Sequence, residues 1–303
     1  MTDLERNVTA GPPPHPGLAG GPIYLDYNAT TPVDPRVADA MLPHLTELFG
    51  NPSSTHPYGD RPRTALRRAR GQVATLVGAR PAEIVFTGSG SEANLLAIRG
   101  AALAAGPARP HVITQATEHP AVLETCRALR RLHSIRVTVL PVDGVRLEPV
   151  VYGGGQERGL RAGTENVALA VALGAAADLA ARDLADGAPA RIAALRDDLH
   201  RRLDTGLPGR VHRNGSTDRC LPNTLNVSID GARGHDLLAA VPRIAASTGS
   251  ACHSGTHTPS PVLTAMGVHP ERALGALRLS LGRWTSPDDI TAAAVALIAA
   301  ATT

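Results

Sequence analysis

Cys252 has the strongest claim to chemistry in this 303-residue chain. It sits in G-S-A-C-H-S-G (249–255), among small residues that leave a thiol accessible. A structural cysteine more often keeps apolar neighbours, as Cys126 does on its predicted helix; Cys220, just before Leu221-Pro222, reads as structural. Nucleophilic attack requires the thiolate, which nearby cations favour, and His253 or His257 could supply one. A second feature is T-G-S-G-S (87–91), between a predicted strand and a predicted helix. Gly90 and Ser91 there would offer backbone N–H groups at the positive end of a helix, which suits a phosphate, although an ordinary tight turn has the same composition. His119 follows a predicted strand, at the edge where ligands of α/β sheets collect, although a histidine before proline also simply starts a helix. A zinc site from Cys252, His253, His257 and His235 lacks a recognised ligand spacing, and no metal is expected.

The elements that must position these groups alternate. Asp34-Pro35 opens a helix as N-cap and first residue, Val37, Met41, Leu45 and Leu48 repeat at helical spacing, and Gly50 closes it. A second helix covers about 63–77, and the short β-branched run 83–86 predicts a strand leading into a helix over 92–104. Strands at 111–114 and 136–142 flank a helix over 120–132, the pattern of a parallel α/β sheet. Farther on, the sequence predicts an alanine-rich helix to about 182, a helix at 191–203, strands at 224–229 and 277–281, a helix at 235–241 and a last helix from Pro287.

Composition narrows the function classes. Aromatic residues make up 2% of the chain, so the core must be built from Ala, Val, Leu and Ile. No apolar run approaches the ~20 residues that span a bilayer, and residues 1–20, rich in Gly and Pro, read as a flexible leader without a signal pattern, which points to the cytoplasm. Three cysteines without repeated spacing argue against a disulfide framework. The net charge is +3. Its densest basic stretch, Arg61–Arg70, fits a solvated helix face rather than a nucleic-acid site. All 30 of the Lys+Arg residues are arginine.

Four stretches taken in order carry a family resemblance: Y-L-D-Y-N-A-T-T-P-V-D-P (24–35); N-P-S-S-T-H (51–56) with F-T-G-S-G-S-E-A-N (86–94); T-E-H-P-A-V-L-E-T-C (117–126) with G-G-G-Q-E-R-G-L-R-A-G-T-E-N (153–166); and G-S-A-C-H-S-G with L-R-L-S-L-G-R-W-T (277–285). Together they resemble the cysteine desulfurases, pyridoxal-phosphate enzymes of the class V aminotransferase type. The resemblance implies an α/β, fold-type I pyridoxal-phosphate transferase-like architecture: a large domain with a truncated, mostly parallel sheet over residues 21–185, and a smaller C-terminal α/β domain over 186–303, with residues 21–33 able to pack on the small domain. It places the cofactor phosphate on Gly90 and Ser91, and on Thr164 reaching across a homodimer, where Thr164 also suits capping of the helix that follows. It stacks His119 on the cofactor ring and lets it move protons. It sets Arg278 on the substrate carboxylate, Asn28 near the substrate, and the persulfide on Cys252. A local alternative for Arg278 is pairing with Asp288 or Asp289.

The resemblance breaks at one place. Residues 140–149 read L-P-V-D-G-V-R-L-E-P, and between Asp143 and Gly144 the family places further sheet elements and the lysine that tethers the cofactor. The expectation is a desulfurase-like protein impaired in converting L-cysteine to L-alanine, without covalently bound cofactor. Its alternatives are a non-catalytic sulfur acceptor, a regulatory partner of an intact paralogue, or a deletion product without function. L-cysteine, a sulfur-acceptor protein and a second subunit are the expected partners; nucleic acid and membrane are not.

Overall fold

The computed structural model describes residues 12–302 except 13, 106–109, 115–117, 139–152, 154, 218 and 249–258. In chain order the elements are β1 (Ile23–Tyr24), α1 (Pro35–Met41), α2 (Pro43–Thr46), α3 (Pro57–Val77), α4 (Gly90–Ala104), β2 (His111–Val112), α5 (Pro120–His133), β3 (Arg136–Val137) and α6 (Val167–Ala185). There follow α7 (Ala188–Gly206), β4 (Val211–Arg213), β5 (Thr224–Ile229), α8 (Gly234–Ala240), β6 (Ile244–Ala245), α9 (Pro261–Ala265), α10 (Pro270–Leu274), β7 (Ala276–Ser280) and α11 (Pro287–Thr302). They form two compact units, residues 34–182 and residues up to 33 with 183–303.

In the unit of residues 34–182, β2 and β3 pair in parallel, His111 opposite Arg136 and Val112 opposite Val137. Two parallel strands need a crossover that returns the chain to the starting edge. Helix α5 makes that return, so its N-cap, His119, stands at the carboxyl edge of the pair. Helices α4 and α5 pack together over Ala102, Leu129 and Ile135. Helix α3 meets α6 where a Cβ built on Gly174 would come within 2.7 Å of the Ala69 Cα, so the contact needs glycine.

The other unit is built around β5, antiparallel to β4 on one side and β7 on the other. Alternation along the pleat divides the side chains. Leu225, Val227, Ile229, Leu277 and Leu279 enter a core with Leu199 and Leu203 of α7 and Ile290 and Leu297 of α11, all at most 1% exposed. Each such side chain contributes roughly 1.5–3 kcal/mol on burial. Asn226, Arg278 and Ser280 occupy the opposite face, Asn226 directly across from Arg278. Strand β1 pairs with β6 in parallel, and single bridges join Asp26 to Ser280 and Ser247 to Arg278.

Several expectations need correction. The strand predicted at 83–86 is not part of any ladder among the described residues: Pro81–Glu83 is a 3-10 turn and 84–87 is irregular. The Ile84 carbonyl accepts instead from Arg70 Nη1 at 2.7 Å and Arg158 Nη2 at 2.8 Å. The strand at 111–114 shortens to two residues, as does that at 136–142, whose part beyond 138 lies outside the described residues. Asn166, not Thr164, caps α6, its Oδ1 accepting from the Leu169 amide at 3.1 Å. The first predicted helix breaks at Leu42, where Pro43 opens α2 without an amide to donate. Among the described residues no helix is long and apolar enough to cross a membrane.

Candidate functional site

The predicted residues divide between the two units, and each set is built locally. In the unit of residues 34–182, Ser89 is the N-cap of α4, its hydroxyl accepting from the Glu92 amide at 3.2 Å, and Gly90 and Ser91 are the first helical residues. Their amides have no hydrogen-bond partner among the described residues, as helix starts leave them. The Glu92 carboxylate turns back to accept from the Gly88 amide at 2.6 Å and from Arg161 Nε at 2.9 Å. Burial works to raise the Glu92 carboxyl, but the Gly88 amide and the Arg161 guanidinium together hold it below the usual carboxylate value. Arg161 thus ties the glycine-rich segment before α6 to the turn that presents Gly90 and Ser91.

His119 caps α5 by accepting the Ala121 amide on Nδ1 at 3.1 Å. Thr164 lies exposed between Gly163 and the Asn166 cap. The segment leading to it is anchored by Glu157, whose carboxylate takes two 2.6 Å bonds from Arg70. Arg70 also lies 4.7 Å from the centroid of the Phe86 ring.

In the unit of residues up to 33 with 183–303, Arg278 projects from β7 and its Nη2 pairs with Asp26 at 2.8 Å, rather than with Asp288 or Asp289. Its Nε is buried without a partner among the described residues, so part of the guanidinium fork remains to be used. Asn28 is fixed from three sides: its amide N–H donates to Ser280 Oγ at 3.1 Å, its Nδ2 donates to Thr224 Oγ1 at 2.9 Å, and its Oδ1 accepts from Asn223 Nδ2 at 2.9 Å. The structure therefore brings the turn that carries Asn28 beside β7, which carries Arg278, through Asp26 and Ser280. Cys252, with His253 and His257, lies outside the described residues. Cys220 is exposed, and its sulfur accepts from Arg196 at 3.2 Å and Arg213 at 3.1 Å.

Asp26, Glu92, Arg161 and Asn223 were missed from sequence. One of them had a legible signal: Ser89-x-x-Glu92 is the pattern of a capping box. The others gain their roles only through partners distant in the chain. No group of three or more metal-ligating side chains occurs among the described residues.

Comparison with known proteins identifies the family. The family profile described as Aminotransferase class-V matches residues 23–149 and 144–292. A mitochondrial cysteine desulfurase of Drosophila melanogaster is 35% identical over 367 residues, covering 89% of this chain and 79% of the relative. A cysteine desulfurase of Frankia sp. (strain EuIK1) is 37% identical over 377 residues, covering 90% and 89%. Among solved structures, a NifS-like protein superposes with a TM-score of 0.81 at 25% identity, covering 92% of this chain and 98% of its own. On these matches and its fold, the chain belongs to the cysteine desulfurases, pyridoxal-phosphate-dependent members of the class-V aminotransferase family.

Proposed function

We propose that this chain is a cysteine desulfurase-like protein impaired in its own turnover, with Cys252 kept as a sulfur-carrying thiol. The observation that carries the reading is a sequence of 303 residues without a lysine. The family's cofactor is an aldehyde that needs a side-chain amine as its tether. Arginine remains protonated and imidazole does not substitute for a primary amine. The residues present fit the cofactor in part. Gly90 and Ser91 present amides without a partner among the described residues and suited to a phosphate, and no described atom lies within 4 Å of a Cβ built on Gly90. No side chain in the sequence can perform the covalent duty.

Three observations support the loss of an internal block between Asp143 and Gly144. The family match divides into two stretches that meet at 144–149. The alignments with the two relatives extend over 367 and 377 positions, more than the 303 residues of the chain. Segment 84–87 has no strand partner among the described residues, and arginines hold its Ile84 carbonyl.

On this reading the family reaction, L-cysteine to L-alanine with a persulfide left on Cys252, belongs to an intact relative. That relative loads Cys252 by exchange. The Cys252 thiolate attacks the terminal sulfur of the donor's persulfide, the S–S bond breaks, and the donor thiolate leaves. The partners are then L-cysteine, a sulfur-acceptor protein and a second subunit, either another copy or the intact paralogue, in cytoplasmic sulfur transfer such as that toward iron–sulfur assembly, tRNA thiolation or DNA modification. Thr164 would face the phosphate of that second subunit. Purified chain given pyridoxal phosphate and L-cysteine should release alanine and sulfide no faster than free cofactor does; sustained turnover would overturn the reading. With an intact desulfurase present, one sulfur atom should appear on Cys252 by mass spectrometry and be absent in Cys252→Ala.

A further inference from the structure

We propose that the cavity of about 800 Å³ between the leader and the α7–α11 face is a binding site for an uncharged, ring-bearing small molecule. It lies wholly within the unit of residues up to 33 with 183–303. None of the described candidate residues Asn28, Gly90, Ser91, His119, Thr164 and Arg278 lines it. The volume falls in the range of roughly 300–1,000 Å³ that holds small organic ligands.

The walls indicate what it would hold. Tyr24, Tyr27 and Trp284 supply aromatic surface, and Leu18, Ile23 and Leu195 supply aliphatic surface. Rings recognise other rings by stacked or edge-on contact, and the leader already uses that mode here: the His15 ring meets Trp284 edge-on at 4.8 Å between centroids. Most of the polar groups in the walls are engaged with the protein itself. Arg191 donates to the Arg283 carbonyl at 2.8 Å and the Thr285 carbonyl at 3.2 Å, and Arg283 pairs with Asp183. Asp289 accepts from the Ser286 amide and hydroxyl at 2.9 and 2.8 Å. The Tyr24 hydroxyl bonds Thr30, and both His15 nitrogens bond backbone groups, of Gly17 and Val33. Tyr27 is held neutral, burial above all pushing its phenol up to about 12. The remaining wall carboxylate, Asp186, is exposed to solvent. An anionic ligand would compete with the carbonyls and the carboxylate that already hold Arg191 and Arg283, whereas an apolar ring system displaces none of them.

Trp284 is the single tryptophan of the chain, so it reports on this cavity alone. The unmodified protein is titrated with N-phenyl-1-naphthylamine, an uncharged dye dark in water, and with its sulfonated analogue, 8-anilinonaphthalene-1-sulfonate. Energy transfer from Trp284 is the readout. The expected result is saturable, one-to-one transfer to the uncharged dye, with affinity at least about tenfold above that of the sulfonate. Ala194→Phe, which fills the cavity, and Leu18→Asp, which puts a charge in its wall, should each abolish transfer while circular dichroism is unchanged. Absence of saturable transfer in the unmodified chain, equal or tighter binding of the sulfonate, or transfer that persists in a folded variant would overturn the assignment.

Discussion

Arg70 and Glu157, 87 positions apart, form a two-point ion pair at 2.6 Å in which the Glu157 side chain is completely buried. Glu157 adopts a left-handed backbone (φ 45°), as does Arg158 (φ 60°), so the pair holds a sterically costly turn immediately before the Thr164 segment. The same guanidinium caps the Ile84 carbonyl, linking segment 84–87 and the turn in one contact.

Removing one partner of this pair strands a charge in the interior. Arg70→Met should destabilise the unit by about 3–5 kcal/mol, and the double change Arg70→Met with Glu157→Leu should cost less than the single one. Urea denaturation of the three proteins checks this. A double variant no more stable than Arg70→Met would refute it.

The Glu92 carboxyl, held below its usual value of 4.5, gives stability a defined pH dependence. A folded value below the unfolded one means the contribution is present above about pH 4.5 and is lost as pH falls through the lower folded value. The stability difference between the unmodified chain and Glu92→Gln should therefore narrow between about pH 6 and about pH 3. A constant difference across that window would contradict the assignment to the Gly88 amide and Arg161.

The two described cysteines should differ sharply in reactivity. Burial, above all, pushes the Cys126 thiol up, and the Glu118 charge adds to it. Cys220 is exposed with two guanidinium donors on its sulfur. Iodoacetamide should label Cys220 in the native protein and Cys126 only after unfolding, as read from peptide masses. Labelling of Cys126 first would be the opposite of what this packing allows.

Two glycines on helices should respond differently to alanine. Gly174→Ala forces a methyl within 2.7 Å of the Ala69 backbone and should cost about 1–3 kcal/mol through separation of α3 from α6. At Gly90 a methyl meets open space among the described residues, so Gly90→Ala should leave the thermal midpoint unchanged or slightly raised. Equal effects at both sites would remove the argument for close helix contact.

Much of the local structure was legible because its signals lie within a few residues of one another. Asp34 before Pro35 caps α1 as the pattern requires, and the predicted strand at 224–229 and last helix from Pro287 match β5 and α11. Strands β1 and β6 were not legible, since two residues carry no period. The 83–86 run reads as a strand by its side chains, but a strand exists only where a neighbour completes its ladder.

What the sequence determined by itself was the family, through four ordered motifs, and the chemical deficit, through the absence of any lysine. What only the tertiary structure decided was who pairs with whom. Arg278 found Asp26, 252 positions away, instead of the nearby Asp288 or Asp289. Asn28 became fixed by Asn223 and Thr224, and Arg161 met Glu92. The physical reason is range: helix periods and caps are satisfied within a turn of chain, whereas a buried polar group takes whichever complementary partner the packing of remote segments delivers to it.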